Sequence, residues 1–217
     1  MSKLRKINNL KNPESFLQIN TVKGFKYVDK AGEIVNAFHK GETPPQFTMG
    51  LDGLVLEQPI DKLDTLKITP QVIWTKTTQV DSLDMVSRLF STESKKILSI
   101  LEITEISRIG WRNYFIYEFP SKEDQEVFFK KLVPVDGLQP VSISFKVDTS
   151  TLFQANLTIQ PVIKENEAGA TGVLFDVDIF QNKEIDTEHI QSTLDSFRTY
   201  IQDSENGLIK ILNETFK

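Results

Sequence analysis

"RIGWRNYFIYEF", residues 108–119, is the stretch on which the fold turns. Alternate residues of a strand share a face, so Ile109, Trp111, Phe115, Tyr117 and Phe119 point one way while Arg108, Gly110, Arg112 and Tyr114 point the other. The first set is a core face. The second is amphiphilic, and Gly110 between two arginines leaves room for another backbone, a ring or a ligand. A long strand therefore stands at mid-chain, one side committed to packing.

On either side of it the pattern changes to helical spacing. Leu83, Val86, Leu89, Phe90, Ile97, Leu98 and Leu101 predict a helix from Ser82 to about residue 100, with Asp81 or Ser82 as its cap. "SKEDQEVFFKKLV" at 121–133 predicts a short helix capped by Ser121. Three alternating segments follow, "PVSISFKV", "FQANLTIQPVI" and "GVLFDVDIF", separated by polar turns that favour antiparallel pairing. Ile190, Leu194, Phe197 and Ile201 behind Asp186 predict a long C-terminal helix, and "DSENG" separates it from a closing "LIKILNETF".

Upstream, "FKYVDKAGEIVNAF" at 25–38 alternates around "DKAG" and reads as a hairpin with Gly32 in the turn. "GETPP" at 41–45 breaks regular structure. "QFTMGLDGLVLEQ" and "DTLKITPQVIWTK" read as two further strands, Pro70 placing the second near an edge or a bulge. The organisation expected is a basic N-terminal segment with a hairpin at 1–40, lying against a partner or a main α+β domain at 41–217. That domain is a mostly antiparallel sheet with helices packed on one face. No internal repeat has a usable period, although the order of elements admits two similar halves.

With 39% hydrophobic and 25% charged residues, the 217-residue chain has an ordinary globular composition. It has no cysteine, which removes disulfides, zinc–thiolate sites, iron–sulfur clusters and thiol nucleophiles together. No run approaches the roughly 20 apolar residues of a membrane helix. The opening residues are basic without an apolar segment behind them, so a cytoplasmic protein is expected, with no membrane partner. Residues 1–30 hold seven Lys or Arg against two acids, and the rest of the chain is acidic. That balance argues against nucleic acid as a partner except through the basic N-terminal segment.

Arg108 and Arg112, about 13 Å apart along a strand at 3.3 Å per residue, suit either a bidentate anion clamp or cross-strand ion pairs. Asp176 and Asp178 in "FDVDIF" share one face of the last strand and supply the partners. Pairing is the expected use. The other use of Asp176 and Asp178 is to hold Mg²⁺ with phosphate oxygens, Glu118 or Asp148 completing the set. His39 and His189 have no metal-ligand companion at helical spacing, no serine pattern suggests a triad, and there is no Gly-rich phosphate loop. Fifteen phenylalanines and two tryptophans either line a pocket or fill a core, and packing is the commoner use.

"SRIGWRNYF", "GVLFDVDIF", "LDSFRTYI" and "LIKILNETF" together resemble the C-terminal signature of a sporadically distributed, uncharacterised family of bacterial and archaeal proteins. The resemblance covers residues 100–217 and marks Arg108, Gly110, Arg112, Asp176, Asp178, Asp195 and Arg198. "RNYF" stands where the family has Arg-Tyr-x-Asn, which shifts Asn113 and Tyr114. The resemblance implies a shared fold, and the family's patchy distribution resembles that of mobile or defence-linked genes. Arg198, on the helix after the Asp-x-Asp strand, is expected to bend back to those carboxylates. The expected function is non-catalytic: a binding protein of a prokaryotic accessory or defence-type system, with a protein partner or a second copy of itself and without a cofactor. A Mg²⁺-dependent phosphoryl-transfer or nucleic-acid-processing enzyme is the alternative.

Overall fold

The computed structural model describes residues 11–22, 27–39, 45–135, 141–147, 152–163, 171–203, 205 and 207–215. Their strands form one ten-stranded antiparallel sheet. In chain order they are β1 (Lys11–Thr21), β2 (Gln46–Gly50), β3 (Gly53–Ile60), β4 (Leu63–Ile68), β5 (Val72–Thr77), β6 (Glu105–Phe119), β7 (Ile143–Val147), β8 (Gln154–Ile163), β9 (Thr171–Gln181) and the short β10 (Ile185–Asp186). The spatial order is β2-β3-β4-β5-β1-β6-β9-β8-β7, with β10 pairing β6. The helices are α1 (Tyr27–Ala37), α2 (Leu83–Ile100), α3 (Lys122–Leu132), α4 (Ile190–Gln202) and α5 (Leu208–Thr215).

Two halves repeat one plan. Each opens with a central strand, β1 or β6, continues through a helix, and returns by an antiparallel meander whose last strand pairs with the first. Each then runs into a long helix, α2 or α4, and these two helices pack together, with α5 following α4 in the second half. β1 and β6 join the halves antiparallel, Leu17 opposite Trp111 and Ile19 opposite Ile109.

Among the described residues the helices pack on the face that "RIGWRNYFIYEF" foretells. Ile109 and Trp111 are wholly buried, and Phe175, Val177 and Ile179 of β9 join them across the register. Phe90 of α2 meets Trp111 edge-on at 6.5 Å, and Phe128 of α3 meets Phe175 at 6.4 Å. The fold is α+β, with the helices on one face and a helical C-terminus. Ser82 and Ser121 cap α2 and α3, each accepting a backbone N–H. Asp186 caps a single 3-10 turn, Thr187–His189, that leads into α4.

Three upstream expectations need correction. Residues 27–37 of the expected hairpin form α1, because Tyr27, Ala31, Ile34, Val35 and Phe38 recur at helical spacing and are buried. The two strands read at 46–58 and 64–76 are four. Leu51 and Asp52 turn the chain between β2 and β3, with Gly53 at φ +135, and Pro70 sits in the turn between β4 and β5, where its missing N–H costs nothing. The boundary at residue 40 does not divide the sheet, since β1 lies in its middle. Residues 1–10 of the basic segment, Asp148 and residues 167–170 lie outside the described residues.

Gly32 is exposed in the interior of α1, with nothing within 4 Å of an added Cβ. Gly32→Ala is therefore expected to raise stability by about 0.5–1 kcal/mol in urea denaturation, whereas a turn glycine at positive φ would lose stability on the same change.

Candidate binding groove on the open sheet face

With every helix on one side, the other side of the sheet is uncovered among the described residues. Its centre carries a row of rings, Trp74 from β5, Phe16 from β1 and Tyr114 from β6. Phe16 lies 5.4 Å from Trp74 and 5.4 Å, edge-on, from Tyr114. Beside the row is a groove of about 310 Å³ lined by these rings and by Gln18, Arg108, Gly110, Arg112 and Asp178. The strand pleat explains the gathering: Gln18 is opposite both Gly110 and Trp74, and Arg112 is opposite Asp178.

The four charged residues singled out in the sequence meet here, in two unlike pairs. Arg112 leans past its register partner and grips Asp176 through two parallel bonds, Nε to Oδ1 at 2.7 Å and Nη2 to Oδ2. Asp176 is 9% exposed, so the fork supplies what water does not. Donating to the Asp176 carboxylate holds the Arg112 guanidinium above its ordinary pKa. Burial, and then the Asp176 charge, pushes the Tyr114 hydroxyl up as well.

The second pair is loose. Arg108 approaches Asp178 only to 3.7 Å, beyond hydrogen-bond reach. Its guanidinium lies over Gly110, where an added Cβ would come within 2.7 Å of Nη1, and 4.9 Å from the Phe180 ring. The room that Gly110 leaves is thus filled by the side chain two residues before it. Among the described residues neither the Arg108 guanidinium nor the Asp178 carboxylate makes a side-chain hydrogen bond. Burial raises the pKa of Asp178, and the nearby Arg108 and Arg112 charges fall short of cancelling it.

An acid whose folded pKa is raised binds its proton more tightly when folded, so the stability it lends falls as pH rises through the ordinary carboxylate range and stays low above it. Asp178→Asn is accordingly expected to melt higher than wild type at pH 7, the gain vanishing as pH falls below about 3.9. Melting curves across that range check the sign.

Arg198 does not reach these carboxylates. It bonds Asp84 of α2, lies 3.7 Å from Asp195, and so ties α4 to α2. Ser87 adds a bond to Asp195 at 3.2 Å. The reason is topological: α4 packs on the helix side of β9, whereas Asp176 and Asp178 project from the opposite side.

Both Asp176 oxygens are engaged by Arg112. Glu118 stands opposite Gly172, four residues from Asp176, and pairs with Lys11 at 3.2 Å. Among the described residues no three His, Asp or Glu side chains gather as a metal site. No helix among them is long and apolar enough to cross a membrane.

Phe16, Gln18 and Trp74 are groove residues that the sequence reading did not single out. The signal was present in β1, where Ser15, Leu17, Ile19 and Thr21 are buried and alternate with Phe16, Gln18 and Asn20. Pro13 runs against that signal, since a proline in a run argues against a central strand. No family model matches the chain, and no curated protein does.

Proposed function

We propose that this chain is a non-catalytic binding protein of a prokaryotic cytoplasmic accessory or defence-type system, kin to the sporadically distributed family it resembles, and that it acts through protein–protein interaction. The observation that carries this reading is the sheet face left uncovered among the described residues, with an aromatic row at its centre. A sheet normally hides such rings, and partly buried aromatics framed by charged residues are the composition of interface centres. The tight Arg112–Asp176 fork is a structural brace within that surface.

Native mass spectrometry of the protein purified from its own host, with neighbouring genes present, tests the proposal. Wild type is expected to carry a stoichiometric protein companion or a second copy of itself, and Trp74→Glu, which charges the row without touching the core, is expected to lose it. A bare wild-type chain, or a companion retained by Trp74→Glu, would count against it.

A further inference from the structure

We infer that the groove beside Trp74 is a binding site for a guanine base. The inference rests on Arg108 and Asp178 and is independent of any protein partner. Two groups with strong hydrogen-bonding capacity line this groove, 3.7 Å apart, and neither has a side-chain hydrogen-bond partner among the described residues. Nearby, Arg112 and Asp176 already hold each other through two parallel bonds. A closed fork beside a loose ion pair suits recognition, because a donor and an acceptor that lack hydrogen bonds favour a ligand that satisfies both.

The chemistry of the pair narrows the ligand. A free carboxylate or phosphate would satisfy Arg108 but meet the charge of Asp178, and an amine would do the reverse. A neutral group with an acceptor adjacent to donors suits both. Aromatic walls add a planar, stackable body to that description. Among the nucleobases, guanine alone presents two parallel donors, N1–H and the N2 amino group, to a carboxylate with the O6 acceptor beside them. Adenine and cytosine each offer a single donor beside an acceptor, and uracil offers one donor between two acceptors. Asp178 accepting the two donors and Arg108 donating to O6 gives both groups the hydrogen bonds they lack. The groove volume of about 310 Å³ is at the lower end of the range for small-ligand sites and admits a base with its ribose outside. Gly110 belongs to the site because its missing side chain is what lets Arg108 lie flat beside Asp178.

The two tryptophans provide the assay. Trp74 lines the groove, while Trp111 is buried on the opposite face with its indole N–H bound to Ser15 at 2.6 Å. In a ¹H–¹⁵N spectrum of the full chain, guanosine is expected to shift the Trp74 indole signal saturably and leave that of Trp111 in place. Inosine, which lacks the N2 amino group, and adenosine are each expected to bind at least roughly fivefold more weakly. Asp178→Asn should erase the preference for guanosine over inosine, and Gly110→Ala should weaken guanosine by displacing Arg108. The unchanged Trp111 signal reports that each variant is folded. No Trp74 shift with guanosine up to its solubility limit, equal affinity for the three nucleosides, or a preference that survives Asp178→Asn would overturn the assignment. The first of these leaves the protein-partner proposal standing, since that proposal is tested by the companion and not by the nucleoside.

Discussion

Truncating Trp111 to alanine lowers stability by about 3–5 kcal/mol, the range found when a large buried aromatic is removed from a core. Trp111 is wholly buried at the middle of β6, the strand that joins the two halves. Its ring packs edge-on against Phe90 of α2, and its indole N–H donates to Ser15 Oγ, which in turn donates to Asn113 Oδ1 at 2.9 Å. The substitution therefore opens a cavity between sheet and helix layer and removes one link of a buried polar chain. Urea denaturation with an unchanged slope would show the loss as a lower midpoint. A loss below about 1 kcal/mol would mean that the helices do not press on this face.

Replacing Arg112 by alanine is the second large effect, a loss of about 2–3 kcal/mol. The cost comes from Asp176, which keeps a charge in a nearly buried place without its fork. Arg112 itself is half exposed, which moderates the figure, because solvent screens its end of the pair. A cycle separates this from any loss of ligand contacts. The double substitution Arg112→Met with Asp176→Leu removes both charges and is expected to recover stability to within about 1 kcal/mol of wild type. If the double variant were as unstable as the single one, the fork would not be the source of the loss.

The second half of the molecule was legible because its signals agree. β6, β9 and α4 each combine a clean period with a cap or a turn, and local propensity points where tertiary packing does. The first half was harder for identifiable reasons. "DKAG" in α1 carries turn residues inside a helix, and only the spacing of Tyr27, Ala31, Ile34 and Phe38 reveals the buried stripe. The turn at Leu51 and Asp52 is short and half apolar, so two strands read as one. The charged residues of the site were visible as a pattern on two strands, yet their unequal pairing was not, since it depends on which way each arginine leans along the sheet. That Arg198 pairs with Asp84 and not with the Asp-x-Asp strand is not legible, because a sequence does not say on which side of β9 the following helix lands.

The most direct test of the central claim, that this protein works through the sheet face bearing Phe16, Trp74 and Tyr114, is hydroxyl-radical footprinting of the protein with and without its companion. Trp74, Phe16 and Tyr114 are expected to lose reactivity in the complex, while Phe47 and Met49 on the outer strand β2, 53% and 44% exposed, keep theirs. Protection of Phe47 and Met49 with Trp74 still fully reactive would contradict the claim and move the interface to the sheet edge.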